Sequence, residues 1–549
     1  MSVSLFAAHF VFAFEIPRVK RNENGVLQLI VDGRPYVMLA GETMNSSSSS
    51  AESMAPRWGK MRDLNLNTVL LPVSWEIFEP EEGRRDFSLV GDLIKGAREN
   101  GLRIVLLWFG SWKNGSSGYA PEWVMRDTGR FPRMKDAQGR NRPYLSNFGG
   151  ELVKAEAKTF RAMMDYIRKA DAGRGTVLMV QVENEVGLLD DSMDRSGRAV
   201  ELFKGEVPAE LLDFVAKNED ALLPEIAKRW AENGRKRKGS WADVFGGGEN
   251  SLAEEMFMAW HYAKHVERVA AEGKAAYPLP MFVNAWTIDP GNPVPGTYPS
   301  GGPNSRMMDV WRCAAPSVDV FAADNYRKDF RAKCAEFYRN GNPLFVPEAV
   351  PLWEGDSSSG PASAFLSVAE FNAMCFSPFA IDHAAYGAGH PIKSAYGVLS
   401  GLMPLITKEH GSGNMRGFMQ QENKSEYIPF GDIVFHVGYN YPYRGFGLIV
   451  RLSENEFLIA GSGFDAHFSS RNEKLPGISY GTMREGRFEN GEWKTSRYVG
   501  GDEAMQGVGG IKMPPLYLRD DASPEIVPVV RIRVFPVDGG NYAHKEVFK

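Results

Sequence analysis

The sequence predicts an α/β fold, a (β/α)8 TIM barrel followed by a smaller C-terminal antiparallel β-domain, and three observations carry that prediction. Apolar runs of strand length recur eight times, with helical stretches between them. Most of these runs stop at a polar or aromatic residue, as strands do where they emerge at the C-terminal face of a parallel barrel. From about residue 420 the helical pattern gives way to short alternating runs broken by Gly, Asn-Gly and Pro turns.

The elements follow in order. Residues 1–14 are strongly apolar but lack a basic n-region and a clean small-x-small cleavage site, so they read either as the remnant of a secretory signal or as an N-terminal strand. Within residues 1–35, Val31-Asp32-Gly33-Arg34-Pro35 predicts a tight turn between two short strands. The barrel is expected over residues 36–415. Its runs end at Glu42, at Pro72-Val73, at Trp108-Phe109, at Glu183, at Asn284, at Asp324 and at Glu348, with an eighth over 374–381. Helices are expected at 51–64, 89–100, 151–169, 305–314, 330–339 and 362–373. The chain is longer than a barrel needs, and the excess sits mainly at 190–278, where charged helical segments read as an insertion. Residues 416–549 read as a C-terminal β-sandwich-like domain. Its Tyr439-Asn440-Tyr441-Pro442-Tyr443 cluster reads as packing between domains in preference to a sugar-stacking surface.

Composition excludes several functions. The 549 residues are 43% hydrophobic and 24% charged with a formal net charge of -5, the profile of an ordinary globular protein with no draw to nucleic acid or anionic lipid. No run is long enough to span a membrane as a helix. Cys313, Cys334 and Cys375 are too few and too scattered for a disulfide framework or a zinc site, and read as small buried hydrophobes. His261 and His265 have the i, i+4 spacing of metal ligands, but Tyr262 stands where a zinc hydrolase carries Glu, and an exposed helix face explains the pair. With no phosphate-binding Gly-rich loop either, no metal or cofactor is expected.

The chemistry-bearing stretch is Gln181-Val182-Glu183-Asn184-Glu185-Val186-Gly187, which follows the buried-strand run Thr176-Val177-Leu178-Met179-Val180. A second run, Pro343-Leu344-Phe345-Val346-Pro347, ends on Glu348. Two glutamates at the ends of different barrel strands converge on one mouth and are the minimum equipment for retaining glycoside hydrolysis. Residues two apart on a regular strand share a face, so alternation leaves Glu183 and Glu185 both available as the acid. Trp75, Trp112, Trp286 and Trp353 follow barrel strands, and aromatic faces stack on the C–H faces of sugars, so they are expected to wall a sugar pocket.

These residues, with Pro72-Val73-Ser74-Trp75-Glu76-Ile77-Phe78-Glu79-Pro80 and the following Gly83 and Asp86-Phe87-Ser88, resemble family 35 glycoside hydrolases, the β-galactosidases of clan A. The resemblance implies that Glu185, after the Asn, is the general acid/base and that Glu348 is the nucleophile. It also implies that Tyr326 is the tyrosine that hydrogen-bonds the nucleophile. Asn184 would donate to the sugar 2-hydroxyl, a bond that strengthens in the transition state. Glu183 then becomes a structural partner. Most members carry an Ala-Glu-Trp-like segment after the third strand, whereas this chain has Trp108-Phe109-Gly110-Ser111-Trp112-Lys113-Asn114-Gly115, which marks a divergent bacterial branch. Lys113 and Asn114 stand as replacement partners for sugar hydroxyls.

The expectation is a retaining β-galactosidase that releases terminal β-D-galactose from oligo- or polysaccharides. Its alternatives are another clan A β-glycosidase (glucosidase, mannosidase or arabinosidase) and an inert sugar-binding protein. A β-galactoside is the expected partner, with no nucleic acid and no membrane span; the sequence is compatible with a homo-oligomer. A periplasmic or secreted location is favoured over a cytoplasmic one.

Overall fold

Eight parallel strands close on themselves in the computed structural model of the protein: Met38–Glu42, Thr68–Ser74, Arg103–Lys113, Val177–Asn184, Met281–Trp286, Val320–Asn325, Phe345–Ala349 and Cys375–Pro378. The last pairs with the first through Cys375↔Met38 and Phe376↔Leu39, which shuts the cylinder. Structure is described for residues 15–248, 252–354, 357–383, 390–422, 424–441, 444–489, 491–505, 509–515 and 527–538. The apolar segment 1–14 lies outside the described residues, as do Pro442 and Tyr443 of the tyrosine cluster.

The strands are apolar on both faces because both faces are covered. Met38, Ala40, Leu70, Val105, Leu107, Phe282, Val320 and Phe345 fill the inside of the barrel, while Leu39, Val69, Leu71, Leu106 and Val180 pack outward against helices. The N-terminal residues form a hairpin of Leu27–Val31 and Arg34–Tyr36, with Asp32 at φ 50° and Gly33 at φ 76° in the turn. Leu29 and Val31 join the inward-facing cluster, so the hairpin covers the end of the barrel opposite the strands' C-terminal tips.

The helices Ser88–Glu99, Gly150–Ala170, Met308–Ala314, Phe330–Phe337, Ser359–Glu370 and Pro391–Glu409 clad the barrel. Between the fourth and fifth strands come four short helices from Gly197–Lys204 to Trp241–Phe245, and then Leu252–Ala276, which is buried on most of its surface and lies along Gly150–Ala170. That burial corrects the reading of His261 and His265 as an exposed face. His261 sits with ring centroids 4.9 Å from Phe148 and 4.7 Å from Phe257, and His265 is buried against Trp112. Burial among rings holds the His261 imidazole at a pKa of about 4. Cys334 and Cys375 are buried and Cys313 half-buried, all as free thiols.

After the barrel come antiparallel sheets. Met415–Met419, Phe446–Arg451, Glu456–Ser462, Val529–Val537, Met483–Glu489 and Glu492–Val499 form one path, and Glu426–Phe430, Ile433–Gly438, Phe464–Ser470 and Gly510–Met513 form the other. Phe418, Phe435, Phe457, Phe464 and Phe468 supply the aromatic core between them. The Tyr439 hydroxyl donates to Glu426 at 2.6 Å, and Glu426 also receives Arg331 of the barrel helix at 2.8 Å, so this part of the tyrosine cluster ties sheet to barrel.

Gly41 precedes the end of the first strand because a side chain has no room there. A Cβ would lie 2.5 Å from Cγ1 of Ile381, whose N–H bonds the Glu42 carbonyl. Gly41→Ala is expected to lower unfolding stability in urea by about 1–3 kcal/mol, the usual result of overpacking. Gly59→Ala, at a helical position with open space around it, should gain a few tenths of a kcal/mol or more instead.

Candidate active site

The fourth strand brings its motif to the mouth through a break in its own regularity. Glu183 has φ 64° and Glu185 φ 48°, left-handed values that cost a non-glycine residue on the order of 1–3 kcal/mol. Opposite Glu183 the third strand bulges, pairing Trp108 with Val182 and next Lys113 with Asn184, so residues 109–112 face Glu183 alone. Glu183 therefore leaves the barrel interior. Its Oε1 accepts the backbone N–H of Ser111 at 3.0 Å and its Oε2 that of Trp112 at 2.9 Å.

Behind it lies a second, wholly buried set. Glu156 of Gly150–Ala170 accepts from Trp108 Nε1 at 3.0 Å, from the Ser111 hydroxyl, and faces His265 Nε2 at 3.0 Å. Burial and the adjacent Glu156 charge raise Glu183 well above the carboxylate range. Glu156, against the pull of its own burial, is held down at about 2 by hydrogen bonds from Glu183, His265 and Ser111. Glu183 and Glu156 thus share a proton, and their oxygens are filled by the protein's own donors. That explains the compact Glu156–Glu183–His265 grouping without a cation.

The kink returns Glu185 to the mouth. Its N–H donates to Asn284 Oδ1 at 3.0 Å and its carbonyl accepts from Gly115 at 3.1 Å, so the fifth strand and the turn after the third fix the strained backbone. Val186 then packs in the core, and Gly187 at φ 146° passes so close to Pro299 that a Cβ would meet its carbonyl carbon at 2.5 Å. Each residue of the motif has a spatial reason.

Glu348 at the end of the seventh strand faces Glu185. One oxygen from each of Glu185, Asp324 and Glu348 lies within 4.8 Å of the others. Glu348 accepts from Tyr326 hydroxyl at 2.7 Å, Asn184 Nδ2 at 3.3 Å and Asn284 Nδ2 at 3.4 Å. Both glutamates are only 4% exposed. Burial first, and the Glu348 charge second, push Glu185 up to about 7; the same causes raise Asp324 well above its usual range.

Lys113, buried at the end of the third strand, donates to Asn184 Oδ1 at 2.8 Å and to Asn114 Oδ1 at 2.9 Å. The first bond orients the Asn184 amide with its Nδ2 toward Glu348. Although burial opposes it, Glu348, Glu185, Glu42 and Asp324 raise the Lys113 pKa and keep it cationic. Asn114 itself is exposed, in a left-handed turn.

The aromatic expectations divide. Trp286 lies against Glu185 and hydrogen-bonds it, and Trp353 is exposed at the rim with its ring 4.6 Å from that of His383. Trp75 and Trp112 are not pocket walls. Trp75 is fully buried, donating to Glu79 at 3.1 Å and packed on Trp108 and Trp123. Trp112 is fully buried too, donating to the Leu145 carbonyl at 3.1 Å and packed edge-on to Tyr262. Both sit in segments that turn outward after the strand, so their rings join the layer between barrel and helices. Sequence reasoning missed Asn284 and Asp324, although their place at strand ends was the same signal that marked Glu348. Glu156 and His265, mid-helix, carried no such signal.

An eight-stranded parallel barrel with paired glutamates at its C-terminal mouth has the two carboxyl groups that glycoside hydrolysis requires. Residues 28–222 match the model of glycosyl hydrolases family 35. Residues 392–509 match a domain of unknown function, DUF5597. A β-galactosidase of Xanthomonas manihotis is 31% identical over 171 residues, 30% of this chain and 26% of that protein. An exo-β-D-glucosaminidase of Thermococcus kodakarensis is 28% identical over 177 residues, 28% of this chain and 21% of that one. The chain thus spans about a quarter of the length of these curated relatives. Among solved structures, the cold-adapted β-galactosidase from Rahnella sp. R3 aligns with a TM-score of 0.45 at 16% identity, covering 68% of this chain and 57% of that one. No helix among the described residues is long and apolar enough to cross a membrane.

Glu183→Ala strands two buried backbone N–H groups. It is expected to cost about 2–4 kcal/mol in denaturant unfolding, and Glu183→Gln, which keeps one acceptor, distinctly less.

Proposed function

We propose that this protein is a retaining β-glycosidase acting on terminal β-D-galactosides. The observation that carries the reading is the approach of Glu185 and Glu348 to within 4.8 Å, with Glu185 at a pKa of about 7 and Glu348 surrounded by hydrogen-bond donors. Retaining enzymes place their carboxyl groups about 5–5.5 Å apart, against about 6.5–9.5 Å when a water must fit between substrate and base.

In this reading Glu348 attacks the anomeric carbon while Glu185 gives its proton to the departing glycosidic oxygen. Glu185, now ionised, takes a proton from water, and that water displaces Glu348 from the sugar. Asn184, turned by Lys113, stands next to the nucleophile, where the 2-hydroxyl of the bound sugar would pass. Galactose is the sugar named for the 31% identical relative, and glucosaminidase activity, named for the second relative, is the rival within the same chemistry.

A panel of nitrophenyl β-glycosides, including galactoside, glucoside, mannoside and glucosaminide, tests the substrate. Preferred turnover of any sugar other than galactose overturns the specificity. Glu348→Gly should lose at least about three orders of magnitude in kcat, with azide restoring turnover as an α-glycosyl azide. Undiminished activity in that variant would remove Glu348 from the mechanism.

The pH dependence has a definite sign. Glu185 is protonated below its pKa of about 7 and is needed in that form for the first step. For a poor leaving group, kcat/KM should fall about tenfold per pH unit above about 7, and for dinitrophenyl leaving groups, which need no proton, much less. Tyr326→Phe removes the shortest bond to Glu348 and should lower kcat/KM by about 10–100-fold, a loss typical of a bond to a charged group.

A further inference from the structure

The barrel mouth has two unequal halves. On the side of the fourth to seventh strands, Asn184, Asn284, Tyr326 and Glu348 satisfy one another. On the other side, the eighth strand pairs with the first and the first with the second, and there Glu42, Ser74 and Ser377 have no side-chain hydrogen-bond partner among the described residues. Glu42, ending the first strand, is fully buried with neither carboxyl oxygen hydrogen-bonded, and the Ser74 and Ser377 hydroxyls on the two flanking strands are equally unpaired.

Alternation shows where these side chains point. Met38 and Ala40 face the barrel interior, so Glu42 is the next inward position. Leu70 leads by the same count to Ser74, and Cys375 to Ser377. The charge set acting on Glu42, namely Glu348, Lys113 and Glu185, places its carboxyl within electrostatic reach of the reacting groups. Both polar atoms of Gln181, further down the fourth strand, and one oxygen of Asp324 at the mouth are also unpartnered among the described residues. Buried polar groups in folded proteins nearly always find partners, so a set of orphans converging on the inside of the barrel mouth marks where a ligand supplies them.

We propose that Glu42, flanked by Ser74 and Ser377, is a substrate-contacting residue that grips two neighbouring hydroxyl groups of an uncharged sugar ring. The inference rests on the glycosidase reading above and adds to it the face of the site that reads the sugar. Two carboxyl oxygens match a pair of adjacent hydroxyls in number and spacing. Burial and the nearby Glu348 charge raise the Glu42 pKa well above the usual carboxylate range, against the lowering effect of Lys113, which favours the neutral acid. A neutral acid both donates and accepts, as a hydroxyl does, whereas an ammonium only donates and a uronate carboxylate only accepts. The third-strand loop offers a lysine already committed to Asn184 and Asn114, whereas Glu42, Ser74 and Ser377 form an arc of unspent hydrogen-bonding capacity.

The test pairs substrate and protein changes. Binding of D-galactose and its 2-, 3-, 4- and 6-deoxy forms is measured by calorimetry on wild type, Glu42→Ala and Glu42→Gln, with nitrophenyl galactoside hydrolysis followed in parallel. In the wild type, removing a hydroxyl held by Glu42 should weaken binding by about 100-fold or more, as in sites built to bond a hydroxyl. In Glu42→Ala the same deletion should cost nothing further, because the partner is already gone. Melting temperature should not fall in either variant, since no bond within the protein is lost.

Deoxy penalties identical in wild type and both variants overturn the assignment, as does a large fall in melting temperature with binding unchanged. Tighter binding of 2-amino-2-deoxygalactose that vanishes in Glu42→Ala would overturn the uncharged class. Wild-type protein that neither binds nor hydrolyses any sugar tested overturns the glycosidase reading along with this one. Hydrolysis with additive penalties overturns this one alone.

Discussion

The Glu183 carboxyl group, accepting the N–H groups of Ser111 and Trp112, makes the interaction on which the rest of the mouth depends. It holds the third strand in its bulge, and the bulge sets Lys113 beside Asn184. Lys113 in turn orients the Asn184 amide toward Glu348. A carboxyl two residues from the proposed acid thus acts through backbone geometry. The left-handed backbone at Glu183 and Glu185 is the strain this arrangement sustains, held from below by Glu156 and His265 and from the side by Asn284 and Gly115.

Electrostatics follow from the same crowding. Glu42, Glu185, Asp324 and Glu348 are buried around one ammonium, so burial and mutual repulsion raise the first three and keep protons in the site. A carboxyl near pKa 7 beside one rich in donors is the division of labour that acid/base and nucleophile need. Hydrogen-bond partners are unevenly distributed around the mouth: Glu348 has three donors, whereas Glu42, Ser74 and Ser377 have none among the described residues.

Much of this was legible in the residues. Eight apolar runs with polar ends specify a closed parallel barrel because strands covered on both faces must be apolar, and their tips must converge whatever lies between them in sequence. The positions of Glu348 and Asn184 follow directly, and Tyr326 was found through its resemblance to relatives. The tryptophans were less legible. Adjacency to a strand end does not say whether the chain then turns toward the cavity or away from it, and Trp75 and Trp112 turn away into the helix layer. His261 and His265 failed for a related reason, since a charged insertion hides how deeply the one helix that matters is buried.

The sequence by itself determined the barrel, the strand-end glutamates and the antiparallel sheets that follow, because hydrophobic periodicity and turn residues are local properties. Only the tertiary structure decided which of Glu183 and Glu185 reaches the mouth. Regular alternation puts both on one face, and it takes a four-residue bulge in the neighbouring strand, closed by a buried proton-sharing pair from a distant helix, to turn one outward and leave the other facing Glu348. That choice lies in contacts between residues dozens of positions apart, and no local pattern encodes it.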